Sequence, residues 1–158
     1  MFKKVIFVTL MLFSFNAFAA PEPIDTQFSE EGLEVHLLKV GIAHDVLTLV
    51  FAYDNQSEED VKILAIPIKE VFFNTKDQKF PVLIDEQNNY LASPIGNKGA
   101  NRNIVFTVED SSKSFNSFTV KAGKKKIAWA KFEAPKDDGW PLSFVLPGVT
   151  PFTINKPE

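Results

Sequence analysis

Apolar and polar side chains alternate along most of the chain. Residues 33–37 follow a period of two, which predicts a half-buried strand with Glu34 and His36 on its polar face. The phase shifts at Leu38, and such a shift predicts a bulge or a change of face. Residues 46–53 are mostly apolar on both faces, so we expect this strand to lie in the centre of a sheet.

Polar, turn-forming segments separate the apolar stretches. They include residues 54–60, 74–79, 85–89, 109–114 and 134–139. Short strands with turn signals about every 8–12 residues, without a convincing amphipathic helix, predict an all-β fold. We expect an antiparallel β-sandwich of about eight strands. A small closed β-barrel is the alternative, because hydrophobic alternation does not distinguish the two.

Two interruptions stand out in this pattern. Pro67 cannot donate to a strand ladder, so it predicts an edge position or a kink between two strand pieces. Residues 93–103 contain two glycines, a proline and three asparagines, and they predict the longest loop. Loops at the end of a sandwich are where such folds place recognition surfaces.

The N-terminus predicts a cleavable signal peptide. Lys3 and Lys4 precede an apolar run over residues 5–15, and Ala17 and Ala19 fit the small-x-small pattern of a signal peptidase site. The run is shorter than the roughly 20 apolar residues that a membrane-spanning helix needs. We therefore place the cleavage after Ala19.

This cleavage site defines the predicted organisation of the chain. Residues 1–19 form the signal peptide, residues 20–31 a flexible lead-in, and residues 32–158 a single β-sandwich domain. The lead-in is rich in proline and acidic residues and has little periodicity. We expect a periplasmic or secreted bacterial protein with no membrane span once the signal is removed.

Composition narrows the chemistry further. The chain of 158 residues has no cysteine, which excludes disulfides, thiol nucleophiles, zinc–cysteine sites and lipid-anchoring cysteines. It has two histidines, so there is little material for a multi-histidine centre, and we predict no cofactor and no metal. Loss of Lys3 and Lys4 takes the net charge from −3 to −5. A net negative chain argues against nucleic acid as a partner.

Three polar clusters each have a chemical and a simpler explanation. His44 and Asp45 would suit acid–base work, but a solvated turn is favoured. Residues 54–60 concentrate oxygen ligands, yet they lack the spacing and the glycine of a calcium loop, so a solvated acidic turn is favoured. Lys121 and residues 124–126 form a basic patch, for which lysines guarding a strand edge are favoured over a phosphate or lipid site.

Trp140 is the binding residue that we predict. It lies in a polar loop at residues 137–141, whereas Trp129 lies in a predicted strand and is expected in the core. A loop tryptophan acts as a binding anchor or folds back as a lid over the end of the sandwich. Both alternatives are open at this point.

Several segments resemble a known family. They are FPVLID at residues 80–85, YLASP at 90–94, AG at 122–123, WAKFEAP at 129–135 and LPGVTPF at 146–152. Together they resemble an immunoglobulin-like domain of bacterial exported proteins, over about residues 33–154. Relatives occur alone, in lipoproteins, or ahead of OmpA-type cell-wall-binding domains. The resemblance implies an immunoglobulin-like sandwich and no assigned chemistry. The chain departs from it in having no lipoprotein cysteine and no second domain.

Two functions fit these observations. The first is an exported binding or assembly module without catalytic activity, with another envelope or extracellular protein as its partner. The second is a small exported enzyme, or an enzyme inhibitor, that acts on cell-wall or host glycans. Adjacent carboxylates at residues 85–86 and 137–138 motivate the second, because glycosidases need two carboxyls about 5–10 Å apart.

Overall fold

The computed structural model describes residues 22–96, 103–109 and 116–157, and the predicted signal peptide lies outside them. Over the described residues the chain forms fourteen strands and two short 3-10 turns. The strands are β1 (Asp25–Phe28), β2 (Glu34–Ala43), β3 (Val46–Asp54), β4 (Val61–Leu64), β5 (Ile66–Pro67), β6 (Phe72–Asn74), β7 (Lys79–Pro81), β8 (Ala92–Ser93), β9 (Ile95–Gly96), β10 (Phe106–Thr107), β11 (Ser117–Val120), β12 (Lys125–Glu133), β13 (Leu142–Val145) and β14 (Phe152–Ile154). The 3-10 turns span Ile68–Glu70 and Asp137–Gly139.

Two antiparallel sheets carry most of the structure. One has the strand order β1-β2-β3-β12-β8 and the other the order β14-β13-β6-β7. Strands β4 and β11 form a third, antiparallel pair, and β10 pairs in parallel with both β5 and β9. None of these sheets closes on itself over the residues described. The all-β prediction is therefore confirmed, with the open sheets of a sandwich rather than a closed barrel.

The two large sheets face each other across phenylalanine rings. Phe144 of β13 packs against Phe51 of β3 and Phe132 of β12, with ring centroids 5.8 and 5.9 Å apart. Phe73 of β6 meets Phe132 edge-on at 5.4 Å. Tilted and edge-to-face contacts of this kind stabilise a core beyond the area they bury. Aromatic packing therefore joins the two layers without disulfides.

The period-two pattern predicts the faces of the long strands correctly. In β3, the alternate residues from Leu47 to Tyr53 are all buried, and the strand lies in the middle of its sheet as expected. In β12, Ala128, Ala130 and Phe132 are buried while the residues between them are not. The expectation that Trp129 lies in the core is therefore wrong, because it is half-buried on the opposite face of the strand. The predicted phase shift is also confirmed, because the register of β2 against β3 slips between Leu37 and Lys39.

The prediction of a flexible lead-in at 20–31 is wrong for the strand β1. This strand pairs antiparallel with β2, in a register that sets Thr26 opposite His36. Strand β1 has only four residues and follows a proline-rich segment, so the sequence shows no alternation from which it could be predicted. Its pairing with β2 stabilises it as a strand. It brings the polar face of β2 into contact with further side chains, so His36 is buried rather than exposed.

Three further segments consist of short pieces. Beyond Pro67, a 3-10 turn at Ile68–Glu70 precedes the short strand β6. The predicted kink at Pro67 is present, where β5 ends after two residues. The predicted loop at 93–103 contributes to the short strands β8 and β9, and its residues 97–102 lie outside the described part. Short pieces of this kind explain why strands outnumber the expected eight.

Among the described residues, no helix is long and apolar enough to cross a membrane.

Candidate functional site

An open groove lies where the segment after β1, the strands β4 and β5, and the turn between β13 and β14 meet. Its lining consists of residues 29–31, Tyr53, residues 63–67, Glu70 and residues 147–149, and we call it the Tyr53 groove. Its volume is about 200 Å³. Pockets for small organic ligands span about 300–1,000 Å³. The groove therefore suits one or two side chains better than a whole small molecule.

Backbone contacts between two turns build one wall of the groove. Ser29 and Val149 form an isolated antiparallel bridge, and the Glu30 N–H donates to the Gly148 carbonyl at 2.8 Å. Gly148 has a φ of +74°, a conformation that glycine adopts without strain. The Ser29 hydroxyl accepts a hydrogen bond from the Leu33 N–H at 3.2 Å. These bonds hold the acidic residues after β1 beside the groove.

Tyr53 forms the floor of the groove and is 1% exposed. Its ring packs against Phe51 and Phe118, with centroids 6.2 and 5.3 Å apart. No hydrogen bond joins its hydroxyl to another described residue. Burial raises the pKa of this phenol, and the nearby Glu31 carboxylate raises that pKa further. The hydroxyl is therefore a neutral group that can donate or accept a hydrogen bond.

The rim of the groove is acidic and apolar. Glu30, Glu31 and Glu70 line it, and no lysine or arginine is among its described lining residues. No ion pair joins these three carboxylates to a cation in the part of the chain that the structure describes. The Leu64 side chain lies at the same rim and is 69% exposed. An exposed leucine thus lies beside three carboxylates in the lining of the groove.

A second hollow adjoins the Tyr53 groove. It has a volume of about 370 Å³ and is lined in part by Ser29, Glu30 and residues 148–149, which also line the groove. Phe28 also lines this hollow and is 58% exposed. The two hollows therefore share one wall, and each has an exposed apolar side chain in its lining, Leu64 in the Tyr53 groove and Phe28 in the second hollow.

A polar cluster occupies the outer face of β3, opposite to Tyr53. The Asp54 carboxylate accepts hydrogen bonds from His36 Nε2 at 3.1 Å and from Gln56 at 2.7 Å, and it lies 3.0 Å from Lys125 Nζ. Burial by itself raises the pKa of Asp54. The hydrogen bonds from Lys125 and His36 outweigh that effect and hold this pKa below its usual value. The ionised Asp54 carboxylate is therefore held within the fold by its hydrogen bonds to Lys125 and His36.

The same cluster contains a grouping of metal-ligand types. One ligand atom from each of Glu34, His36 and Asp54 lies within 4.8 Å of the others. The His36 Nδ1 lies 2.8 Å from the Thr26 hydroxyl, and the Nε2 that faces Asp54 is the donor, because an ionised carboxylate only accepts hydrogen bonds. Because Lys125 already provides the positive charge at Asp54, the arrangement is a hydrogen-bonded ion-pair network.

The acidic run at residues 54–60 folds into a self-supporting turn. The buried Asn55 amide donates to the carbonyls of Glu59 and Val120 at 2.7 and 2.9 Å. The Asn55 side-chain oxygen accepts from the Ser57 N–H and hydroxyl. Asp60 is directed away to Lys121, at 2.6 Å. The oxygens of Asn55 and Asp60 therefore bind groups of the protein and do not converge on one point, which agrees with a turn rather than a calcium loop.

The basic patch is also engaged within the fold. Lys121 pairs with Asp60, Lys125 pairs with Asp54, and Lys126 Nζ donates to the Asn103 side chain at 2.6 Å. These contacts tie β12 and the turn before it to neighbouring segments. The expectation that these lysines guard a strand edge is not met, because β12 lies between β3 and β8 in its sheet and the lysines form contacts within the fold instead.

Trp140 lies apart from the Tyr53 groove. It follows the 3-10 turn Asp137–Gly139, is half-buried and packs against the hydrophobic core. This position matches the lid alternative. A role for Trp140 in binding stays a prediction.

His44 and Asp45 form the two-residue turn between β2 and β3. Both have positive φ, of 49° and 61°, as the tightest hairpin turns require. Both are exposed, as expected for a solvated turn.

The two carboxylate pairs that motivate an enzyme have other contacts. Asp85 accepts from the backbone N–H groups of Gln87 and Asn89 in its own turn, and these bonds lower its pKa. Asp137 pairs with Lys156 at 2.9 Å. Neither of these aspartates lines the groove.

Sequence reasoning missed the Tyr53 groove. Its glutamates at 30 and 31 belong to the segment expected to be a lead-in, and Tyr53 looks like an ordinary core residue of a central strand. One signal was available. Ile63 and Leu64 are adjacent in a strand, so their side chains point to opposite faces, and one of the two can face solvent.

Comparisons with known proteins yield two solved structures of low similarity and no family. No protein-family model matches the sequence, and no curated protein matches it. One solved structure, the yjhA protein from Bacillus subtilis, is similar with a TM-score of 0.42 and 13% identity over 80% of both chains. Another, a functionally unknown protein from Listeria monocytogenes EGD-e, has a TM-score of 0.43 and 14% identity over 86% of this chain and 85% of the other. Similarity at this level carries no argument about function.

Proposed function

We propose that this protein is an exported, periplasmic binding module without catalytic activity, whose partner is another envelope or extracellular protein. The observation that carries the proposal is the Tyr53 groove, where exposed apolar side chains, unpaired carboxylates and a buried phenol meet. Ligand sites commonly combine an apolar lining with a few placed polar groups.

Other polar clusters support this choice of site. The acidic turn, the basic patch and the Asp54 network each direct their side chains at one another. Groups that satisfy each other in this way stabilise the fold and have little capacity left for a ligand. The groove differs because its carboxylates and its phenol have no such partner among the described residues.

The volume of the groove favours a protein partner over a glycan substrate. At about 200 Å³ it matches the side chain of a docking partner. The enzyme or inhibitor alternative, and the immunoglobulin-like family, stay predictions from the sequence.

Site-specific photo-crosslinking tests the proposal. A photoreactive residue replaces Leu64 in the full-length protein expressed in its own organism, and Ile127, 57% exposed on the outer face of β12, is the matched control. We expect a defined envelope protein crosslinked from position 64 and absent from position 127. Equal products from both positions, or none from position 64, would contradict the proposal. Mass spectrometry of the envelope form checks export, with Ala20 as the expected first residue.

A further inference from the structure

We propose that the Tyr53 groove binds a basic segment of a partner polypeptide, in which a lysine or arginine lies next to an apolar side chain. This inference rests on the proposed function and specifies what the same site recognises.

The apolar side chain of the segment can be buried at the Tyr53 groove. Leu64 lies at the rim of the Tyr53 groove and is 69% exposed, and Phe28, 58% exposed, lines the neighbouring hollow. Burial of such side chains by a partner is favourable. The groove itself has room for a side chain of that partner.

The charge of the rim specifies the polar part. Glu30, Glu31 and Glu70 place three negative charges around one groove, without a described cation in ion-pair contact. An ammonium or guanidinium group entering there meets opposite charge from more than one side, whereas an acidic segment is repelled. Complementarity of this kind sets both specificity and association rate.

The phenol at the floor gives the second polar contact. The Tyr53 side chain is 1% exposed and lines the groove, and its hydroxyl makes no hydrogen bond to a described residue. Its oxygen can accept a hydrogen bond from a lysine ammonium. A ligand that donates to this oxygen forms a hydrogen bond that the described residues do not supply.

The backbone of the groove favours recognition by side chains. The Ala65 N–H donates to the Asn116 carbonyl and the Ile66 N–H donates to the Val105 carbonyl. These donors are used inside the fold, so they are not available to an added strand.

Peptide binding to the exported protein purified from the periplasm tests the inference. The probe is a short fluorescent peptide in which lysine and leucine alternate, and it is compared with a glutamate–leucine and a lysine–glycine counterpart. We expect anisotropy to show binding of the lysine–leucine peptide and about tenfold weaker binding of each counterpart. Binding should weaken as salt is raised, because the charges on the rim are screened.

A matched pair of triple variants locates the site. The variant Glu30→Gln/Glu31→Gln/Glu70→Gln should bind the lysine–leucine peptide about tenfold more weakly. The control Glu58→Gln/Glu59→Gln/Glu86→Gln removes the same charge from exposed positions outside the groove and should bind as the wild type does. Thermal unfolding shows that each variant is folded. Equal loss in both variants, or equal binding of the acidic peptide, would overturn the inference.

The two tests fail separately. A crosslinked partner at Leu64 whose binding ignores the triple groove variant would leave the binding function intact and refute the basic segment. Concentration-dependent dimerisation abolished by Leu64→Ser would instead make a second copy of this chain the occupant and refute the inference. Absence of any crosslinked partner refutes the proposed function itself.

Discussion

Neighbouring residues at the end of β3 lead into two regions that use acidic groups differently. Tyr53 points to the core side and forms the floor of a groove bordered by three carboxylates without described ion pairs. Asp54, the next residue, points to the outer face and binds His36 and Lys125. A charge that is paired and buried holds strands together, whereas a carboxylate at the groove without a partner costs little to substitute and is available to a ligand. Mutations should separate these two roles.

The largest effect is expected at Asn55, beside the paired region. Asn55→Ala removes hydrogen bonds to Glu59, Val120 and Ser57 and leaves buried backbone groups unsatisfied. We expect the free energy of unfolding to fall by about 3 kcal/mol. Urea denaturation measures it, with Glu58→Ala at an exposed position of the same turn for comparison. A loss no larger than that of the comparison would show that the turn does not depend on this amide.

A smaller loss is expected from Asp54→Asn. The substitution keeps the shape of the side chain but removes the charge that pairs with Lys125 and His36. We expect a loss of about 2 kcal/mol at neutral pH, from hydrogen bonds to a charged group. The exposed pair is the control: Asp60→Asn breaks the contact with Lys121 and should change the unfolding free energy very little.

Acid should reduce the stability of the wild type through the same carboxylate. The folded pKa of Asp54 is lowered, so its stabilisation is complete above the unfolded carboxyl pKa of about 3.9 and is lost as the pH falls through the folded pKa. Unfolding free energies measured below about pH 5 should therefore converge for wild type and Asp54→Asn. Parallel curves over that range would mean that Asp54 is not the group responsible.

The groove should respond in binding and not in stability. The triple glutamine variant of Glu30, Glu31 and Glu70 should keep the free energy of unfolding within about 0.5 kcal/mol of wild type, because it breaks no described ion pair. Calorimetry measures that value on the sample used for peptide binding. A loss as large as that of Asp54→Asn would place these glutamates among the structural charges.

The smallest change is expected from Tyr53→Phe. The hydroxyl has no hydrogen bond to a described residue, so its removal should leave the melting temperature unchanged. Binding of the lysine–leucine peptide should weaken about fivefold if the hydroxyl accepts a hydrogen bond from it. Tyr53→Ala, which removes the ring against Phe51 and Phe118, should by contrast destabilise the fold.

The long strands could be predicted from the sequence, but their partners could not. Leu47 to Tyr53 and Ala128 to Phe132 alternate clearly enough to reveal strand and buried face together. Strand β1 has too few residues for a period to be seen, and only its pairing with β2 makes it a strand. The burial of His36 follows from that pairing, so it could not be foreseen either.

The candidate site is harder still to predict, because its residues are distant in the sequence. Residues 29–31, Tyr53, Leu64 and residues 147–149 come together only when four separate segments of the chain converge. Trp140, the residue selected from its loop setting, does not line the groove and packs against the core. A local pattern reports which side of a strand is apolar, and it contains no information on which turns meet.

By itself, the amino-acid sequence determined that this protein is built from strands, which faces of β3 and β12 are buried, and that no disulfide contributes to its stability. These properties depend on side-chain periodicity and composition, which are local. The tertiary structure decided the order of the strands, the pairing of Asp54 with Lys125 and the assembly of the Tyr53 groove. Those features depend on contacts between residues far apart in the chain, and folding brings such residues together only as the sheets form.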